Sequence, residues 1–173
     1  MAAANRGEAE AMETLYFRYR DWAYSLAWRF CRNRDDALDV LQDVFAYFFN
    51  KFPGFQLTSK LKTFLYPVIK NTSLILVRKH RRLVHLDESF AESLPDERPY
   101  FELERKKLDE WLEGVDQQDR ELVLLRFYDG FGLLEIGKIL KIPLGTVKSR
   151  LHRALARLRE DISKQRGEST RRS

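Results

Sequence analysis

Residues 142–159, near the C-terminus, have the sequence IPLGTVKSRLHRALARLR. At about 100° per residue, its apolar side chains form one stripe along a helix; they are Val147, Leu151, Ala154, Leu155 and Leu158. The opposite face carries small, polar and basic side chains. With Lys141 just before it, the stretch holds six Lys and Arg residues and no acidic residue. The pattern predicts an amphipathic helix with a basic outer face.

A shorter apolar helix, Leu133–Leu140, precedes this one, and Lys141–Leu144 forms a tight connection. Two helices joined by a three- to four-residue turn, the second one basic, are typical of a helix-turn-helix. Small side chains on the outer face allow close approach to a surface, and free N–H groups at the helix N-terminus favour phosphate. We therefore expect DNA contacts along the last helix from Thr146, Lys148, Ser149, Arg150, His152, Arg153 and Arg157.

The charge distribution also favours a polyanionic partner. The formal net charge is only +5, yet 13 of the 31 Lys and Arg residues lie in two blocks, Lys60–Arg82 and Lys141–Arg159. Neither block contains Asp or Glu, so the remainder of the chain is net acidic. Two concentrated basic blocks indicate that a polyanion is bound at two places.

Other features exclude several classes of protein. The single cysteine, Cys31, cannot form a disulfide framework or a cysteine-rich metal site within the chain. The polar, acidic residues 1–13 do not fit a signal peptide, and no apolar run approaches the roughly 18 residues of a membrane span. We expect a cytoplasmic protein without membrane insertion, metal or cofactor.

The rest of the chain predicts an all-α fold of two small helical domains, at residues 10–82 and 105–162. A flexible acidic linker at 83–104 joins them, and 163–173 form a disordered tail. In the first domain we expect helices at Met12–Phe30, Asp35–Phe52 and Lys60–Arg82, with a turn at 31–34 and a loop at Pro53–Ser59. In the second we expect helices at Arg105–Leu112 and Gln117–Phe127, the latter capped by Asp116, before the helix-turn-helix.

Helical periodicity assigns faces to the second and third helices. The second helix has an apolar side of Leu38, Leu41, Val44, Phe45 and Phe48, opposite Asp39, Gln42, Asp43 and Ala46. The third helix has an apolar face of Leu61, Phe64, Leu65, Val68, Thr72 and Ile75, opposite an open face of Lys62, Thr63, Tyr66, Lys70 and Ser73. Pro67 lies inside the third helix, where it should cause a kink or mark a late start.

Several segments resemble a known family. LLEIGKILKIPLGTVKSRLHRALARLRE (133–160) resembles region 4.2 of bacterial sigma factors of the extracytoplasmic-function (ECF) type, in the sigma-70 family. LYFRYRDWAYSLAWRF (15–30), DDALDVLQDVFAYFF (35–49) and KLKTFLYPVIKNTSLILVRKHRR (60–82) resemble region 2 of the same family, in the same order. The resemblance implies a non-enzymatic factor that binds core RNA polymerase, directs it to promoters and promotes opening of the DNA.

The resemblance also implies roles for residues. On the region 2 helix, core polymerase would be bound by Asp39, Gln42 and Asp43, with Phe45 facing the core. The −10 element would be contacted by Phe55, Gln56, Lys60, Lys62, Thr63, Tyr66 and Lys70, although Phe55 could instead pack under its loop. The −35 element would be contacted by Lys148, Ser149, His152 and Arg153. The polymerase flap would contact the surface near Leu124, Arg126 and Phe127. An anti-sigma factor is a further partner implied by the family alone.

Two alternatives stay open at this point. An ordinary helix-turn-helix regulator would bind specific DNA without polymerase, with Met12–Arg82 as an effector or dimerisation domain. A DNA-acting enzyme would need a metal site, for which Asp35, Asp36, Asp39 and Asp43 are the candidates. One short exposed helix is a poor cage for Mg²⁺, and the sequence contains no Walker loop, His/Cys cluster or nucleophile motif.

Overall fold

The computed structural model describes residues 1–84, 112 and 115–171, with side chains described to residues 82 and 160 of the two main segments. These residues form helices, turns and loops, without a strand. The chain divides into two compact units. The N-terminal unit contains α1 to α4 and the C-terminal unit contains α5 to α7. The predicted all-α fold of two small helical domains is confirmed.

The N-terminal unit consists of a short helix and a bundle of three longer ones. Its helices are α1 (Ala2–Asn5), α2 (Ala9–Cys31), α3 (Arg34–Phe49) and α4 (Leu61–Val84). The turn between α2 and α3 is built from two specialised ends. Arg32 adopts the left-handed conformation that ends α2. The Asn33 side chain then accepts a hydrogen bond from the Asp36 backbone N–H at 3.0 Å and caps α3.

The core of this unit differs from the predicted faces at several positions. In α3, Leu38 is exposed, whereas Asp36 is buried and its Oδ2 lies 3.2 Å from Nδ1 of His80. In α4, Ile69 is buried and Ile75 is 65% exposed. The predicted open face of α4 is wrong at three positions that are buried, namely Thr63, Tyr66 and Ser73.

The enclosure of α4 explains these differences. Both α2 and α3 pack against it, and every residue from Leu61 to Lys70 is at least partly buried. A wheel with one apolar and one open face cannot describe a helix that is covered on several sides. Pro67 lies within a helix that already starts at Leu61, so it does not mark a late start.

The C-terminal unit contains α5 (Gln117–Val123), a π-helical segment at Leu124–Tyr128, α6 (Leu133–Leu140) and α7 (Leu144–Arg171). Asp116 stands at the N-cap of α5, as predicted, but its side chain makes no capping hydrogen bond. Leu112, Val115, Val123 and Ala154 form one buried cluster, against which Leu151 and Leu158 pack. The predicted apolar stripe of the last helix therefore lies on the core side.

Two further predictions meet different outcomes. Most of the predicted linker and most of the helix at Arg105–Leu112 lie outside the described residues, and α4 extends to Val84. Residues 163–171 of the predicted disordered tail continue α7, which ends at Arg171, and the last two residues lie outside the described ones. Residues 158–166 contain no Pro or Gly, the residues that most disfavour a helix.

Candidate nucleic-acid interface

The turn between α6 and α7 is held by backbone geometry. Lys141 adopts the left-handed conformation, with φ 56°, and ends α6. The Ile142 N–H donates to the Gly137 carbonyl at 3.0 Å. A Cβ at Gly137 would lie 3.0 Å from the Ile142 carbonyl oxygen, a tight contact that favours glycine at this close approach. The connection at Lys141–Pro143 thus has the length expected of a helix-turn-helix.

The other end of α6 is fixed by its first turn. Glu135 accepts a hydrogen bond from the Gly132 backbone N–H at 2.8 Å, which satisfies a donor that the helix itself leaves unpaired. Arg126 donates through Nη1 to the Phe131 carbonyl at 3.1 Å. These bonds hold the segment between the π-helical turn and α6. The supporting helix is therefore fixed at both ends.

The outer face of α7 is open and basic, as predicted. It contains exposed residues at helical spacing, namely Lys148, Ser149, His152, Arg153, Ala156 and Arg157. Thr146 is half-buried in the first turn. The Ser149 hydroxyl donates to the Thr146 carbonyl at 3.1 Å, so its oxygen remains able to accept a hydrogen bond. This face can supply cations to phosphates and side-chain donors to base edges.

Arg150 does not belong to this open face. Its Nε lies 2.7 Å from Oδ1 of Asp119 in α5, and the two side chains are only 15% and 8% exposed. The pair ties α7 to α5. The predicted DNA contact of Arg150 is therefore not supported by its position. The role of Asp119 could not be predicted from the sequence, because nothing in its local pattern indicates burial.

The surface predicted to contact core polymerase lies on α3. Asp39, Gln42 and Asp43 are exposed, while Phe45 is buried and packs edge-on against Tyr16 with ring centroids 4.9 Å apart. Among the described residues no cation pairs with either aspartate. Like charges four residues apart destabilise a helix slightly. The two exposed carboxylates slightly destabilise α3, and they form an acidic surface that is suited to bind a basic partner.

The loop between α3 and α4, residues 50–60, carries the first of the predicted −10 contacts. Gln56 and Lys60 are exposed. Phe55 is instead part of an aromatic cluster, with ring centroids 5.2 Å from Phe64 and 5.6 Å from Phe52. This geometry supports the packing interpretation of Phe55, whose side chain is half-buried.

The predicted −10 contacts on α4 are less accessible than expected. Thr63 and Tyr66 are only 6% and 1% exposed, so their side chains are not placed to contact DNA. Lys62 is half-buried, with its Nζ 5.0 Å from the centroid of the Trp22 ring, and Lys70 is half-buried too. Farther along α4, the exposed basic residues are Arg78, Lys79, Arg81 and Arg82. The accessible charge of this helix therefore lies at its C-terminal end.

Neither a metal site nor a membrane segment is found in the part of the chain that the structure describes. It contains no group of three or more His, Cys, Asp or Glu side chains able to hold a metal ion. Asp36, one of the four candidate magnesium ligands, is buried beside His80. Within the same residues no helix is long and apolar enough to cross a membrane.

Solved structures share this fold. The chain resembles the sigma factor RpoE of Bartonella quintana, crystallised with the anti-sigma factor NepR, with a TM-score of 0.63 and 23% identity over 90% of this chain and 98% of that one. It also resembles CnrH, solved in complex with the cytosolic domain of CnrY, with a TM-score of 0.67 and 22% identity over 94% of both chains. At these identities the likeness concerns the fold.

Sequence comparisons identify the family. Residues 15–83 match sigma-70 region 2 and residues 111–160 match sigma-70 region 4. The chain is 26% identical to the ECF RNA polymerase sigma factor SigW of Bacillus subtilis, over 91% of each. It is 33% identical to the RNA polymerase sigma-E factor of Streptomyces antibioticus, over 73% of this chain and 71% of that protein. This chain belongs to the sigma-70 family of RNA polymerase sigma factors, in its ECF group, and acts in transcription initiation.

Proposed function

We propose that the two units divide promoter recognition between them. The C-terminal unit contacts the −35 element through α7, with Lys148, Ser149, His152 and Arg153 as the principal contacts and Thr146 and Arg157 at its borders. The observation that carries this proposal is the open basic face of α7, beside an Arg150 that is withdrawn into the core. A bidentate Arg–guanine contact discriminates between bases by ~1–3 kcal/mol.

The N-terminal unit binds core polymerase and contacts the −10 element. The acidic face of α3 supplies Asp39, Gln42 and Asp43 to the polymerase. The loop at 50–60 supplies Gln56 and Lys60 to a base taken out of the stack, which costs a few kcal/mol and needs new hydrogen bonds and stacking to offset it. Lys62 and Lys70 contribute positive charge nearby, and the basic end of α4 holds phosphates. The chain works in the cytoplasm without catalytic chemistry of its own.

We extend the proposal to an anti-sigma factor that holds this protein inactive. The support is that the sigma factor RpoE of Bartonella quintana, which has the same fold, was solved in complex with the anti-sigma factor NepR. Copurification from the host of a small protein that blocks core binding would support this partner. A chain that copurifies only with polymerase would contradict it.

A run-off transcription assay tests the proposed function. Purified core polymerase is given fragmented host DNA with and without this protein, and discrete new start sites are expected only with it. Asp39→Arg/Asp43→Arg should abolish core binding, and Lys148→Ala/Arg153→Ala should remove the start sites while core binding persists. Specific DNA binding by the protein alone, without binding to core, would instead support an ordinary helix-turn-helix regulator.

A further inference from the structure

The N-terminal helix α1 contacts the loop at 50–60 through one side chain. Asn5 Nδ2 donates to the Phe55 carbonyl at 2.9 Å, and Asn5 Oδ1 accepts from the Gly54 N–H at 2.9 Å. Gly54 and Phe55 lie about fifty positions from Asn5 along the chain. Ala4, the neighbour of Asn5, is fully buried. The bond to Phe55 is therefore partly buried beside the packed helix, whereas the bond to Gly54 lies at the surface.

An asparagine is chemically suited to this position. The two backbone groups are one donor and one acceptor, and a side-chain amide matches both at once. An aspartate could accept from Gly54, but its carboxylate would face the Phe55 carbonyl oxygen. Gly54 has φ +94°, a conformation that other residues rarely adopt. Asn5 thus holds the loop at a point where its backbone takes an unusual shape.

We propose that Asn5 is a positioning residue for recognition of the −10 element. It binds only backbone groups, so the exposed side chain of the next residue, Gln56, is left facing solvent. The Phe55 ring packs against Phe48 and Phe64, which also holds the loop. With both contacts in place, Gln56 and Lys60 are presented to DNA in one arrangement. The inference rests on the proposed role of this loop.

The test compares base preference at the two promoter elements. Holoenzyme carrying a C-terminally tagged chain transcribes two libraries, one randomised at the −10 element and one at the −35 element of a promoter selected with the parent chain. Asn5→Ala should reduce the −10 base preference roughly fivefold, since two hydrogen bonds are lost, and leave the −35 preference unchanged. Asn5→Asp should reduce it at least as much.

The matched control is Arg6→Ala, which removes an exposed ion pair with Glu8 on the same segment. It should leave both preferences at the parent values. Hydrogen exchange at the Gly54 amide checks that Asn5→Ala released the loop while α2 to α4 stayed folded.

Three outcomes oppose the inference. An unchanged −10 preference in Asn5→Ala, with faster exchange at Gly54, would overturn it and leave the proposed function intact. Equal losses at both elements would also overturn it, because they would indicate a general loss of structure. A parent chain that selects no promoter would contradict the proposed function itself.

Discussion

The two units each carry a basic helix, and these helices differ in how much of their surface is open. In α7, exposed residues recur every three or four positions between 145 and 157, opposite a single apolar stripe. In α4, no residue between Leu61 and Lys70 is fully exposed, because α2 and α3 cover it. Two helices that are both rich in basic and apolar aliphatic residues therefore present an open face in one unit and form a packed core element in the other.

Because of this difference, the candidate DNA contacts lie in different kinds of structure in the two units. In the C-terminal unit, the site is a regular helix face whose side chains follow from the helical repeat. In the N-terminal unit, the accessible polar groups lie on the loop at 50–60 and at the C-terminal end of α4. The placement of the loop depends on a contact from a distant segment, that of Asn5 with Phe55.

The largest expected effect comes from the buried ion pair of the C-terminal unit. Arg150→Ala leaves the Asp119 carboxylate largely buried without its partner, which should destabilise this unit by about 3 kcal/mol. Hydrogen exchange of the α7 amides, with the N-terminal unit as an internal reference, measures this loss.

The matched control for that variant is Arg153→Ala, three residues along the same helix. Arg153 is exposed, so its loss should change stability by less than about 0.5 kcal/mol and lower the affinity of holoenzyme for −35 DNA. If Arg150→Ala weakened DNA binding and left the exchange of α7 unchanged, Arg150 would be the DNA contact that the sequence predicted.

A second prediction concerns two glycines, one in each unit. A Cβ would meet no atom within 4 Å at either Gly54 or Gly145, so only backbone conformation distinguishes them. Gly54→Ala should destabilise the loop by about 1–2 kcal/mol because of its positive φ. Gly145→Ala, within α7, should stabilise the chain by about 0.5 kcal/mol. Urea unfolding of both variants measures the contrast, and equal effects would contradict it.

The contrast between the open α7 and the enclosed α4 also explains how much could be predicted from the sequence. The helices, the helix-turn-helix and the open face of α7 could be predicted, because one buried stripe and one solvated face obey the helical repeat. The acidic face of α3 could be predicted for the same reason. The burial of Thr63 and Tyr66, the pairing of Arg150 with Asp119 and the contact of Asn5 could not. Each depends on a partner between 31 and 50 residues away, or on a second packed face, which local periodicity does not encode.

A third prediction uses a feature that the units share. Arg32 ends α2 and Lys141 ends α6, both in the left-handed conformation, with φ 59° and 56°. A glycine adopts this conformation without the strain of a side chain, although it costs more entropy on folding. Lys141→Gly should stabilise the C-terminal unit by about 0.5 kcal/mol. Arg32→Gly should gain less, because the Arg32 side chain makes an interaction that this variant removes. Equal gains in the two units, measured by thermal unfolding, would mean that the interaction of Arg32 contributes nothing to stability.

The smallest expected effect is a loss of stability at alkaline pH that only the N-terminal unit should show. Burial raises the pKa of the Cys31 thiol above its ordinary value of 9.0; the nearby Ser73 hydroxyl partly offsets this, and the charge of Asp36 adds to it. The folded N-terminal unit therefore favours the neutral thiol. Its contribution to stability is complete below pH 9 and is lost as the pH rises through the raised value.

Labelling with iodoacetamide measures this effect, because the chain contains one cysteine and the thiolate is the reactive form. The labelling rate of the folded chain should rise at higher pH than that of the urea-unfolded chain. Cys31→Ser should make the N-terminal unit less sensitive to alkaline pH and leave the exchange of α7 unchanged. Labelling curves that coincide for the folded and unfolded chains would mean that Cys31 is solvated, and that the end of α2 is more open than the rest of the bundle.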